Sequence, residues 1–380
     1  MLIKKGFATF DLANMALGAI GLLLFSKYLD TSMYADAILC VSYINVILLL
    51  TRGGFISVIN ARILKSKDTG FFKTYAGLQK IPLKKSFIAS MILTVILTFH
   101  GFDFISLCLI FSAAFFYSFN YFFIEGLRIL RDIKYFTLIL IFPKIIALLA
   151  LYYLQYDSAV LIMFYSLGGM MCCIIFLIFS RDSQYLNVCE AQAFSNEEKM
   201  YGSKVNVSNI LDQSITDIIP IFLYNFSRDS LVIIFKVVFS ILSIATIPSR
   251  FMALNLMDGL IARKERILYF LKVNTSYIAY FVLSVAFSFF WFEEFGIGGF
   301  VVIALTGIGI LCQINYQLFG LEAERRANST IIFAASRNSL ITACMFLAIT
   351  FLINPEYAIL FSFAASRFTH FFTYFQDQIT

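Results

Sequence analysis

Apolar residues run through this chain in blocks of about twenty, each closed by a short cluster of charged and turn residues. About 20 such residues in a helix cross the roughly 30 Å hydrocarbon core of a bilayer. Windows of that size predict spans at 7–29, 34–60, 86–101, 104–126, 135–154, 158–180, 206–226, 231–260, 273–292, 295–319, 329–352 and 356–376. Runs such as Met170-Met171-Cys172-Cys173-Ile174-Ile175-Phe176 show no period of two, which excludes the alternating strands of a membrane β-barrel. The expected fold class is an all-α polytopic membrane protein with about 12 transmembrane helices.

The polar stretch near 181–205 divides these spans into two halves of six. This predicts an N-terminal lobe at 1–183, a cytoplasmic linker at 184–204 and a C-terminal lobe at 205–380. Short matches suggest an internal repeat. Asn120-Tyr121, Gly126-Leu127 and Arg131 return, with spacing shorter by one, as Asn315-Tyr316, Gly320-Leu321 and Arg325. Ala61-Arg62 returns as Ala262-Arg263, and Arg52 and Arg250 lie on the corresponding second and eighth spans. An even number of spans per half relates the halves by an axis along the membrane normal.

Composition agrees with this pattern. Of 380 residues 60% are hydrophobic and 14% charged, where a soluble domain carries about 25% charge. Two His among 45 Phe and 20 Tyr argue against a metalloenzyme. Cys40, Cys108, Cys172, Cys173, Cys312 and Cys344 fall in apolar runs and read as small buried residues, with Cys189 alone in a polar loop. The N-terminus does not read as a cleavable signal: Lys4 and Lys5 precede a long apolar stretch that lacks an A-x-A site and contains Asp11.

The net charge of +6 suggests nucleic acid until it is sorted by loop. One side carries Lys4, Lys5, Arg62, Lys65, Lys67, Lys73, Lys80, Lys84, Lys85, Arg128, Arg131, Lys134, Arg181, Lys199, Lys204, Arg263, Lys264, Arg266, Lys272, Arg325 and Arg326. The other carries only Lys27 and Arg228, among Asp30, Asp36, Asp103, Asp157, Asp229, Glu293, Glu294 and Glu356. The positive-inside rule then places both termini in the cytoplasm. The charge marks orientation, and no nucleic-acid partner is expected.

The loops limit the chemistry. The longest, at 61–85 and 181–205, are too short for a soluble catalytic domain, and no G-x-x-x-x-G-K-[ST] loop is present to cradle a nucleotide. Phe71, Phe72, Tyr75 and Leu78 interleave with Lys73 and Lys80, a pattern suited to a short helix anchored in the inner interface.

Charges inside the spans remain: Arg52, Lys144, Lys236, Arg250, Arg337 and Arg367, against Asp11, Asp212, Asp217 and Asp258, with Glu125 at an inner margin. Each costs about 2.5–3.5 kcal/mol at bilayer depth on insertion scales, so such residues usually face a bundle interior or a water-filled cavity. Asp212 and Asp217 pair off two cations at most, Asp258 sits near the inner face, and Lys236 either snorkels outward or joins the cavity. A surplus of Arg and Lys implies an anionic substrate, with phosphate or carboxylate matching the guanidinium fork. Arg52, Lys144, Arg250, Arg337 and Arg367 are the candidate substrate-binding residues; Asp11, Asp212 and Asp217 are the candidate ion-coupling residues, for Na+ or H+. Pro143, Pro220 and Pro248 mark expected kinks, while His100 and His370 lie too far apart in sequence to form a relay.

The chain resembles the Wzx-type polysaccharide flippases of the multidrug/oligosaccharidyl-lipid/polysaccharide exporter superfamily. The resemblance spans essentially its whole length. It lies in the two six-span halves, the stretch Phe10 to Leu29 followed by Tyr34-Ala35-Asp36, Arg52-Gly53-Gly54, Gly126-Leu127-Arg128, and Asp217-Ile218-Ile219-Pro220-Ile221-Phe222-Leu223. It implies two lobes around a central cavity, alternating access and no cofactor. It also implies a polyprenyl-diphosphate-linked oligosaccharide, an O-antigen or capsule repeat unit, carried between leaflets of a bacterial inner membrane. The family's basic residues on spans two and eight carry over onto Arg52 and Arg250, and a polysaccharide polymerase and chain-length regulator would be partners, besides membrane lipid. A cation-coupled drug exporter of the same superfamily is the alternative. A membrane polysaccharide polymerase, which would need a large outer loop, ranks below both.

Overall fold

The computed structural model describes residues 13–52, 80–116, 140–153, 195–226, 229–244, 271–289, 296–325 and 329–379, apart from single or paired positions within the first and sixth of these segments. Among them no residue is in a strand. The chain forms two compact units: Met1–Leu17 with Lys27–Ile210, and Gly18–Ser26 with Leu211–Thr380.

The first unit contains α1 (Thr31–Arg52), α2 (Lys80–Thr98), α3 (Phe104–Phe116) and α4 (Phe142–Tyr153). Cys40 and Ile44 of α1, Leu93 and Leu97 of α2, and Ile110, Ala113 and Ala114 of α3 make one buried cluster. The α2–α3 turn closes because Gly101 adopts φ 80°, a left-handed conformation open to glycine, while its N–H donates to the Thr98 carbonyl at 3.1 Å. Asp103 then caps α3, its carboxylate accepting from the N–H groups of Ile105 at 3.1 Å and Ser106 at 3.2 Å. These bonds hold its carboxyl below the ordinary 3.8, Ser106 contributing most. Before α4 the chain makes a wide π-type turn at 140–141, just ahead of Pro143, which lacks an N–H to donate.

The next helix, α5 (Asn196–Phe226), crosses from one unit into the other. It begins well before the predicted span at 206. Ser195-Asn196-Glu197-Glu198 has the capping-box pattern, so the polar lead-in continues the helix instead of forming a loop. Pro220 lies inside it.

The second unit also holds α6 (Asp229–Ile244), α7 (Gly296–Arg325), α8 (Ser329–Ile353) and α9 (Pro355–Ile379), together with helical residues between 271 and 289. A single residue joins α8 to α9. Asn354 accepts from the Glu356 N–H at 3.1 Å, and Pro355 occupies the first helical position, where a missing donor costs nothing. The two helices then run side by side, tied by the Ser362 hydroxyl donating to the Ala343 carbonyl at 2.7 Å. Glycines of α7 admit aromatic rings. A Cβ at Gly309 would meet the Phe363 ring, including Cδ1 at 2.7 Å, and one at Gly298 would meet the Tyr357 hydroxyl at 2.5 Å.

Hydroxyl groups on these helices turn back on their own backbone. Ser42 donates to the Ile38 carbonyl, Thr94 to Ser90, Ser240 to Lys236 and Thr369 to Ala365, which satisfies each polar group without water. The cysteines depart from the sequence expectation. Cys40 and Cys312 are buried, but Cys108 and Cys344 are exposed on apolar helix faces, where lipid rather than protein is the natural neighbour of a small thiol.

Candidate functional site

Among the described residues, Arg367 is the most enclosed of the predicted cations. It lies on α9 with 1% of its surface exposed. Nη1 donates to the Tyr316 hydroxyl on α7 at 2.9 Å, and Nη2 donates to Oγ1 of Thr216 on α5 at 2.7 Å. Three helices of one unit therefore converge on a single guanidinium. Its carbon lies 5.3 Å from the centroid of the Phe363 ring and 5.7 Å from that of Tyr316. Tyr316 in turn stacks on His370, one turn along from Arg367, with centroids 4.2 Å apart, and Tyr374 completes the stack. The two hydroxyls are neutral acceptors, so these bonds fix the orientation of the guanidinium and leave its positive charge intact.

A reciprocal amide pair buttresses the same helix. Asn315 and Asn274 each donate to the other's carbonyl oxygen, at 3.0 and 3.1 Å, and Tyr277 donates to the Gly307 carbonyl. Asn315 and Tyr316 thus point their polar groups to opposite partners from adjacent positions of α7.

Lys144, on α4, is the predicted cation of the first unit whose side chain is described. Its ammonium donates to both the main-chain carbonyl and the side-chain oxygen of Asn14, at 2.7 and 2.6 Å. Asn14 is itself buried at 9% exposure. Lys144 is half-buried, and both of these oxygen partners are neutral.

The other sequence candidates fall elsewhere. Arg337 is exposed on α8, bonded to the neighbouring Asn338 at 3.3 Å, and is not part of the Arg367 cluster. Asp217 on α5 is close enough to Lys236 on α6 to interact with it electrostatically. Arg52 and Asp212 belong to α1 and α5, but their side chains lie outside the described residues, as do Asp11 and Arg250 altogether. The predicted span at 158–180 and the interfacial segment around Phe71 are also outside them. Sequence reasoning did not single out Asn14, Thr216 or the Tyr316 hydroxyl as partners. A signal existed for the last, because Asn315-Tyr316 was one of the repeat matches.

No protein-family model matches the sequence, and no curated protein does either. Solved structures do. The multidrug transporter DinF-BH, of the MATE type, superposes with a TM-score of 0.66 at 13% identity, covering 99% of this chain and 95% of that one. The chain has the fold of MATE transporters. A MOP-superfamily transporter from Pyrococcus furiosus, described as having a binding pocket of reverse polarity and a different function, superposes at 0.64 with 12% identity and the same coverage. The Vibrio cholerae MATE transporter VcmN does so at 0.60 with 10% identity, covering 100% of this chain and 98% of that one. The MATE fold is an all-helical, multi-pass membrane architecture, in agreement with the spans read from the sequence. Its neighbours are transporters rather than enzymes.

Proposed function

We propose that this protein is a lipid-linked oligosaccharide flippase. It would carry a polyprenyl-diphosphate-linked repeat unit from the cytoplasmic to the periplasmic leaflet of a bacterial inner membrane by alternating access, with both termini in the cytoplasm. The observation that carries this reading is Arg367, a buried guanidinium oriented by the neutral hydroxyls of Tyr316 and Thr216. Lys144, anchored on the neutral oxygens of Asn14, adds a cation in the other unit. Such groups attract a diphosphate or an acidic sugar and repel the cationic drugs of a typical multidrug exporter. The Pyrococcus furiosus neighbour, described as having reverse polarity in its pocket, supports the view that this fold accommodates substrates of more than one charge. Arg52 and Arg250 are proposed to join Arg367 and Lys144 in binding the substrate. Asp11, Asp212 and Asp217 are proposed to couple transport to Na+ or H+, without a cofactor. A polymerase acting on the delivered units and a chain-length regulator would be its partners.

A second reading, a cation-coupled drug exporter, rests on the multidrug transporters among the structural neighbours and on the Asp217 carboxylate in α5. The two readings separate in liposomes. Purified protein reconstituted with a fluorescent polyprenyl-diphosphate saccharide should move the label between leaflets, and expression should leave drug resistance unchanged. No movement of the label together with raised resistance would replace the flippase by the exporter.

A further inference from the structure

One exposed face of α8 carries a single charge in an apolar stripe. Thr330, Phe333, Arg337, Ile341, Met345, Ile349 and Leu352 follow one another at three- or four-residue intervals, and all are exposed. The opposite face, with Ile332, Ala335, Ser336, Ser339 and Ala343, is buried. Only 28% of the apolar window Thr330–Ile353 is buried, against 50% for Gly296–Tyr316 of α7, so α8 is the more exposed of the two. Arg337 is eight residues into a 25-residue helix, about 12 Å from its start. That helix is about 37 Å long and overhangs a hydrocarbon core of about 30 Å. From this depth an arginine side chain is long enough to snorkel towards the headgroup region at the Arg325-Arg326 end.

We propose that Arg337, with the Asn338 amide beside it, binds the phosphate of an anionic phospholipid on the outer surface of α8. Its hydrogen bond to Asn338, 3.3 Å long, uses one nitrogen of the guanidinium fork. The remaining donors suit a phosphate oxygen pair, and a bidentate contact of this kind favours Arg over Lys. Phe333 and Ile341, one turn to either side, offer the surface on which acyl chains lie. The occupant is a lipid because the charge is set in apolar surface along its whole length: a free anion would meet the guanidinium but have nothing to place against the stripe. This inference is independent of the transported substrate, since the site is apart from the Arg367 cluster.

The test is native mass spectrometry of the purified full chain in detergent with phosphatidylglycerol or phosphatidylcholine of matched chains. Phosphatidylglycerol should be retained about fivefold better, the factor expected for one basic residue at a membrane surface. Arg337→Gln should abolish that preference, and Arg337→Lys should keep part of it, with thermal unfolding confirming that both variants fold. Equal phosphatidylglycerol retention by the native chain and Arg337→Gln would overturn the proposal. Displacement of the lipid by millimolar inorganic phosphate would also overturn it, because the acyl chains would then contribute nothing.

Discussion

Arg367 and Tyr316 meet across α9 and α7 through a 2.9 Å hydrogen bond, and the same tyrosine ring stacks on His370, one turn further along α9. One side chain thus orients the buried cation with its hydroxyl and supports the helix that carries it with its ring. Tyr316→Phe separates these roles. It keeps the stack but removes the acceptor, and should cost about 1–3 kcal/mol of stability, read as a lowered unfolding midpoint in detergent. Arg367→Lys cannot reach both Tyr316 and Thr216 from a single ammonium, so it should reduce transport in liposomes more than it reduces protein level.

Gly309 should not tolerate a methyl group. Its Cβ would lie 2.7 Å from Cδ1 and 2.8 Å from Cζ of Phe363, a ring with no exposed surface whose centroid is 5.3 Å from the Arg367 guanidinium carbon. Gly309→Ala should therefore destabilise by about 1–3 kcal/mol through overpacking. Gly307→Ala also meets a ring, but Phe281 is only partly buried and can swing away. Its unfolding midpoint should fall less than that of Gly309→Ala.

The Lys144–Asn14 contact gives a test of charge rather than of packing. Asn14→Asp preserves shape and the 2.6 Å contact but places a carboxylate on the ammonium. If the positive charge of Lys144 serves an anionic substrate, this variant should fold normally and lose transport. Lys144→Met should instead lower stability by about 1–3 kcal/mol, because it leaves the buried Asn14 oxygens without their donor.

Asp103 predicts a pH effect with a definite sign. Its folded-state carboxyl titrates below 3.8 because Ser106 and Ile105 bond the ionised form. The cap therefore contributes stability above the ordinary carboxylate range and loses it as pH falls through the depressed value. Asp103→Ala should lower the unfolding midpoint slightly at pH 7, and the difference from the native chain should shrink on acidification. A difference that grew in acid would contradict the cap.

Much of the architecture is legible from spacing alone. The turns at Gly101 and Asn354-Pro355 fall where the apolar runs break, because a backbone in lipid must stay helical until polar residues allow it to leave. The start of α5 at Asn196 was less legible, since its polar first turns read as linker although a capping pattern was present. The candidate site was legible only in part. Arg337 and Arg367 look alike in sequence, each a lone arginine deep in an apolar run, and hydropathy assigns them the same role.

The sequence by itself determined the membrane as solvent, the helical class, the two halves and the surplus of positive charge, since each follows from composition and periodicity that any packing must respect. Tertiary structure decided where each described charge lies. Which face of a helix is buried depends on its neighbours, so only packing could place Arg367 against Tyr316 and Thr216, leave Arg337 on an open apolar stripe, and set Asp217 near Lys236. Lys144 and Asn14, 130 positions apart, met for the same reason. Their contact leaves no period in the chain, because hydrogen bonds between distant helices depend on geometry and not on spacing.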